Sequence, residues 1–224
     1  MFNLAAPPDF RGLDPHAPIE VYVRHLPHWR QDGATYFVTY RLADSLPQSK
    51  LNELRCWRHE WEQHHPPPRD DDTLDDLARQ TMLRVEHWLD QGMGRCPLRE
   101  SKPAGLVEKS MRHFDGQRYE VGCYVVMPNH VHMVLRPTVP RQFSLEKILQ
   151  SWKTYTARQI NTDLGSCDSL WEQESFDRII RDEEHLWRAI QYIGRNPRLA
   201  GLSIETQPRW IRPEWIELGW HFES

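Results

Sequence analysis

Only four cysteines occur in 224 residues, Cys56, Cys96, Cys123 and Cys167, and no two of them form a C-x-x-C pair. That spacing speaks against both a disulfide framework and a cysteine zinc site. No run of eighteen apolar residues exists, and the opening MFNLAAPPDFRG lacks a basic stretch followed by an apolar one. Neither a membrane span nor a secretory leader is therefore expected, and the cytoplasm is the expected location. There is no excess of positive charge either, with a net charge of -4 and a pI near 6.3, which taken alone argues against a nucleic-acid partner. Internal repeats are absent.

What is present belongs to a water-soluble globular chain. Charged residues make up 27%, hydrophobic residues 39%, and the mean hydropathy is -0.73. The length suits one domain with embellishments. Much of the acid is concentrated in RDDDTLDD at 69–76, while the C-terminal half carries Arg136, Arg141, Lys147, Lys153, Arg158, Arg178, Arg181, Arg188, Arg195 and Arg198. That asymmetry allows a locally basic face on an acidic protein, although each arginine alone also reads as ordinary solvated surface.

Residues 1–33 are proline-rich without a clear period and read as an extended arm. ATYFVTYRL at 34–42, dense in aromatic and β-branched residues, predicts the first strand. A helix follows on the spacing of Leu51, Leu54, Trp57 and Trp61, ended by Pro66, Pro67 and Pro68. A second helix is punctuated by an Asp/Thr start, the stripe Leu74, Leu77, Met82, Val85 and Leu89, and a closing glycine. These features define a helical insertion at about 66–92. A third helix is expected over 103–114, strands over about 118–127 and 130–136, a helix through SLEKILQSWKTYTARQIN, a short strand at SFDRIIR, and a last helix capped by Asp182 and stopped by Pro197. The tail at 203–224, with Trp210, Trp215 and Trp220, reads as a packed strap. The order predicts an α+β fold, an antiparallel sheet with helices on one face.

Within YVVMPNHVHMVLRP, residues 124–137, His130 and His132 are two positions apart in a strand and share a face, with Cα atoms about 6.6 Å apart. Val131, Met133 and Leu135 take the opposite face toward the helices, leaving the imidazoles on a side that the core does not need. The pair reads either as two unrelated surface histidines or as two nitrogens converging on one metal ion through bonds of about 2.1 Å. On the last helix Leu186, Ala189, Ile190 and Ile193 form the buried stripe, and Tyr192 stands off it with Asn196 one turn on. Arg188 and Arg195 flank them. This is either an amphipathic helix flank or a surface suited to phosphate. Asn196, preceding proline, is expected to leave helical geometry.

MPNHVHMVLRP, SWKTYTARQIN, RHFDGQRYEVGCYVV and LWEQESFDRIIRDEEHLWRAIQYIGRNPRLAGL together resemble the HUH single-tyrosine transposases, and more narrowly the REP-associated tyrosine transposases. The resemblance runs over residues 34–202. It implies a ferredoxin-like sandwich, from whose compact members this chain departs by the helical insertion after the first strand and the long N-terminal arm, and a divalent ion, Mg2+ or Mn2+, bound by His130 and His132 with Asn196 at the third ligand position. It further implies Tyr192 as the nucleophile of a single-stranded DNA endonuclease and strand transferase that forms a 5′-phosphotyrosine link near hairpins. Two histidines and an oxygen do not by themselves exclude zinc. Arg188, Arg195, Lys147, Lys153 and Arg158 are the candidate DNA contacts, single-stranded or hairpin DNA the expected partner, no membrane is expected, and the protein is a monomer or homodimer. The alternatives are a hairpin-binding regulator without catalysis and a nicking enzyme or phosphodiesterase sharing the two histidines. Tyr155 is the rival nucleophile, read as a packing residue at the edge of its helix stripe.

Overall fold

The structure, a computed structural model, describes residues 3–24 and 26–223. Strands β4 (Tyr119–Val126) and β5 (His130–Pro137) are buried along almost their whole length, the pattern of strands covered on both faces. They are joined by the tight Pro128-Asn129 connection, in which Met127 N–H donates to the His130 carbonyl at 2.9 Å. Before them in the chain stand β1 (Glu20–Val23), β2 (Pro27–Arg30), β3 (Tyr36–Leu42) and the helices α1 (Gln48–His64), α2 (Asp71–Leu89) and α3 (Ser101–Arg112). After them come α4 (Leu145–Leu164), β6 (Trp171–Ile179), α5 (Glu183–Leu199), β7 (Arg209–Ile211) and the single turn α6 (Pro213–Ile216). The main sheet has the order β6-β3-β5-β4-β7, antiparallel throughout. Without β7 this is the β-α-β-β-α-β arrangement of a ferredoxin-like sandwich, elaborated by α1 and α2 between the first strand and its helix.

Helix boundaries follow local chemistry. The Asp70 carboxylate accepts from Thr73 N–H at the start of α2, and Asp182 accepts from His185 N–H at 2.7 Å at the start of α5. Gly165, at φ 62°, closes α4 in the left-handed region. Pro197 does not stop α5. The helix runs to Leu199, and Ala200 N–H to Asn196 O (3.1 Å) and Leu202 N–H to Pro197 O (2.8 Å) carry its last turn past the proline. Asn196 therefore stays helical.

The sheet is covered on both faces, not one. On the first face Val131, Met133 and Leu135 of β5 pack with Tyr40, Val107, Met111, Ile148 and Trp152, joining the sheet to α3 and α4. On the second, Phe37, Val125 and Val134 meet Leu186, Ile190 and Ile193 of α5, with Trp215 and Trp220 from the tail. The histidine side is thus a second core, because α5 returns across it. A smaller cluster of Val85, Trp88, Leu89 and Leu46 seats α2 near Phe176 of β6.

Three further expectations are corrected. The strand at SFDRIIR begins earlier, at Trp171, and spans nine residues; its polar side chains hid it because it is an edge strand whose groups are paired rather than apolar. The N-terminal arm contains the β1–β2 hairpin, in register from Glu20↔Arg30 to Val23↔Pro27. The tail supplies β7, which pairs with β4 through Cys123↔Ile211 and Val125↔Arg209. Trp215 lies over Gly122, where the β4–β5 register shifts, and a methyl on Gly122 would overlap the indole.

The hairpin is held by a buried charge cluster. His28 bonds Asp177 at 2.7 Å through Nδ1 and Glu174 at 2.5 Å through Nε2, while Arg30 engages Asp177 with both terminal nitrogens and Glu146 with Nε at 2.6 Å. Burial alone would discharge His28, but the two carboxylates win and raise its pKa to about 9.

Two consequences are measurable. Below about pH 6.5 His28 is charged in both folded and unfolded chains and its clamp contributes fully. Between 6.5 and about 9 only the folded form keeps the proton, so up to about 3 kcal/mol fades with rising pH. Thermal unfolding across that interval should therefore show a loss in the wild type that His28→Gln lacks. Gly122→Ala should lower the urea unfolding free energy by about 1–3 kcal/mol through overlap with Trp215.

Candidate metal and nucleophile site

Strand β5 positions both imidazoles between β3 and β4, His130 opposite Arg41 and His132 opposite Thr39. Their exposures are 1% and 0%. The two Nε2 atoms face each other at 2.9 Å, with the rings inclined at 77°. Each Nδ1 has its own partner: Asn129 Oδ1 for His130 and Thr39 Oγ1 for His132, both at 2.7 Å.

This network fixes the tautomers in part. Asn129 is oriented by its amide nitrogen, which donates to the carbonyls of Leu89 (3.2 Å) and Met93 (3.1 Å). Its oxygen accepts, so His130 Nδ1 carries the hydrogen and His130 Nε2 has a free lone pair. Thr39 can donate or accept. His132 therefore either gives its Nε2 hydrogen to His130 or turns that nitrogen into a second lone pair. Burial pushes both imidazoles toward neutrality, His130 to about 3 and His132 well below its ordinary range, the second also disfavoured by its neighbour. Neutral imidazole is the form that binds metal.

Helix α5 brings the other groups. The Tyr192 ring meets the His132 ring edge-on at 5.2 Å and the Phe37 ring at 6.0 Å. Asn196 is 0% exposed, and neither its Oδ1 nor its Nδ2 closes a hydrogen bond among the described residues, although the side-chain amide lies within electrostatic reach of His130 and Tyr192. The Tyr192 oxygen is likewise buried and unbonded. Its pKa is driven up, first by burial and then by the charges of Glu86 and Asp90. The structure therefore brings His130, His132, Tyr192 and Asn196 together within one chain.

The basic candidates divide. Arg188 is exposed one turn before Tyr192, beside the same cleft. Arg195 is exposed and ion-paired with Glu223. Lys147 and Arg158 are exposed on α4, in the layer on the opposite side of the sheet, where they line a separate groove with Tyr155. Lys153 is not a surface cation. It is buried, and its ammonium donates to the carbonyls of Glu172 (2.9 Å) and Gln173 (3.1 Å) on β6. Tyr155 is 45% exposed rather than packed, and the sheet separates it from the histidines.

Sequence reasoning missed Asn129, Thr39, Glu86 and Asp90. Glu86 and Asp90 project from α2 with buried, unbonded oxygens, Glu86 beside Tyr192. Burial raises the Glu86 pKa to about 8. Met82, Glu86 and Asp90 recur every four residues, but such a row reads as a solvated flank until α5 is placed against it.

The residues fit a divalent cation. No three His, Cys, Asp or Glu side chains among the described residues form a metal-binding group, so a third protein ligand would have to be of another kind. Asn196 offers one, buried and unsatisfied. Two nitrogens 2.9 Å apart match the roughly 3 Å between adjacent ligands on an ion with bonds of about 2.1 Å. No helix among the described residues is long and apolar enough to cross a membrane.

No protein-family model matches the chain, and no curated protein matches it. Among solved structures, a REP-associated tyrosine transposase bound to a REP hairpin is similar to this chain with a TM-score of 0.45 and 15% sequence identity. That similarity covers 81% of this chain and 74% of the other.

Asn129 carries a direct test. Asn129→Ala leaves His130 Nδ1 without its acceptor in the interior and removes the amide donor from the Leu89 and Met93 carbonyls, of which the Leu89 carbonyl keeps Gly92 N–H. Urea unfolding should show a loss of about 2–3 kcal/mol, and calorimetric titration should show weaker Mn2+ binding, by about tenfold or more.

Proposed function

We propose that this protein is a metal-dependent single-stranded DNA endonuclease and strand transferase that forms a 5′-phosphotyrosine intermediate at or near hairpins. One observation carries the reading. Two neutral imidazoles converge at 2.9 Å beside a tyrosine and an asparagine whose buried polar side-chain atoms close no hydrogen bond among the described residues. Unsatisfied buried groups each cost about 1–3 kcal/mol, so a cluster of them in one place supports a role other than packing.

His130, His132 and the Asn196 oxygen would hold Mg2+ or Mn2+. A bound cation supplies Lewis-acid polarisation of a non-bridging phosphate oxygen. Asn129 and Thr39 orient the two imidazoles from behind. Tyr192 forms the new bond from its phenolic oxygen to phosphorus as the bond to the 3′ oxygen breaks, giving a 5′-phosphotyrosine and, after proton uptake from water, a 3′-hydroxyl. The phenolic proton passes to the Glu86 carboxylate when that group is ionised, and otherwise to water. Because the link remains a phosphodiester, the reverse step rejoins the strand without an external energy source. Arg188 stands one turn from Tyr192 as a guanidinium for a neighbouring phosphate.

The buried phenol oxygen favours the second reading, a hairpin-binding regulator without catalysis. A single gel separates the two. Labelled single-stranded hairpin DNA with Mn2+ should give a denaturation-resistant adduct with the wild type and none with Tyr192→Phe. His132→Ala should reduce adduct formation by about a hundredfold. Binding without any adduct supports the regulator, and cleavage without an adduct supports a hydrolase.

A further inference from the structure

A cleft of about 660 Å³ opens between α2 and α5 over β6, and Tyr192 and Glu86 both line it. Its size lies within the range of about 300–1,000 Å³ usual for small-ligand sites. The walls are of two kinds. Met82 and Leu83 of α2, Phe37 of β3 and Ala189 of α5 line its apolar part, and Leu83 is 56% exposed. Four guanidiniums share the rim, those of Arg79, Arg178, Arg181 and Arg188.

The acids there cancel this charge only in part. Arg79 is ion-paired with Asp76, whereas Asp75 serves Arg178 and Arg181 at once, at 3.2 and 3.4 Å. Asp177 is bound to His28 and Arg30, Asp182 caps α5, and Glu86 tends to keep its proton near neutral pH because it is buried. Arg188 makes no ion pair among the described residues, and the buried Nε of Arg178 has no hydrogen-bond partner. Arg178 is further crowded by the charges of Arg181, Arg79 and Arg188. An exposed apolar wall next to under-neutralised guanidiniums is complementary to a flat ring carrying an anion.

We propose that the α2–α5 cleft seats the unpaired nucleotide adjoining the phosphate presented to Tyr192, with its base against Met82 and Leu83 and its outer phosphate on Arg178 and Arg188. The proposal rests on the DNA reading above and gives the helical insertion a function as one wall of the substrate site. Aliphatic and aromatic walls accept any base, whereas guanidiniums fix the backbone, so the site selects single-stranded character over base identity.

The test uses the full chain as Tyr192→Phe, which removes the covalent step, and two fluorescein-labelled DNA hairpins, one with a short unpaired thymidine flank and one without. Anisotropy titrations should show that Leu83→Glu weakens binding of the flanked hairpin by about tenfold or more and leaves the unflanked one unchanged. Arg178→Gln should do the same, and Leu83, being exposed, keeps the test valid if that variant fails to fold. An abasic residue at one flank position should reproduce the loss in the parent and add nothing in Leu83→Glu. Equal weakening of both hairpins, or unchanged affinity for the flanked one, overturns the proposal. Absence of binding to either hairpin overturns it together with the DNA reading. If flank-dependent binding persists while the wild type forms no adduct, the cleft stands and the transferase reading falls.

Discussion

Strand β5 lies between two layers of helix, with α3 and α4 against one face and α5 against the other. Taking His130 and His132 out of water removes their charge, forces each Nδ1 to find a protein partner, and leaves the two Nε2 atoms facing each other. The remainder of the second layer is arranged around that dehydration. The tail adds β7 and Trp215 to close one end of the sheet, and α2 closes another flank through Val85, Trp88 and Leu89.

Buried polar groups of the first layer, such as Lys153 and Thr156 of α4, are hydrogen-bonded, whereas several unbonded ones gather on the second. Among the described residues, unbonded oxygens of Tyr192, Asn196, Glu86 and Asp90 and the unbonded Nε of Arg178 come from α2 and its C-cap, β6 and α5. A domain tolerates such groups where surrounding packing over-determines their positions, and their concentration at one place distinguishes that place from the rest of the core. In the proposed reading the same packing delivers the tyrosine to the histidines of its own chain.

Along the β6 edge the buried Asp177 joins the N-terminal hairpin to the sheet through His28 and Arg30. The cleft beside Tyr192 and the groove along α4 both reach His28, Ser175 and Asp177, so the hairpin stands where the two depressions adjoin. The acidic run does not remain a free charged patch either, because Asp75 draws Arg178 and Arg181 toward α2.

Much of the architecture was legible in the chain because local rules suffice for it. Runs of aromatic and β-branched residues set the strands, stripes and caps set the long helices, and the i+2 and i+4 spacings put His130 with His132 and Tyr192 with Asn196. What local pattern cannot report is which surface a face meets. The histidine side looked free because alternation identifies two faces but not how many layers cover them, and only the return of α5 buries it. Lys153 reads as a surface cation until the β6 carbonyls take it inward, and nothing local marks Asn129 or Glu86, whose roles come from the Leu89 and Met93 carbonyls that fix the amide and from Tyr192 beside the carboxyl. Periodicity is a property of neighbours along the chain, whereas burial, protonation and unsatisfied polarity belong to contacts between residues far apart in sequence, and those the tertiary structure alone decided.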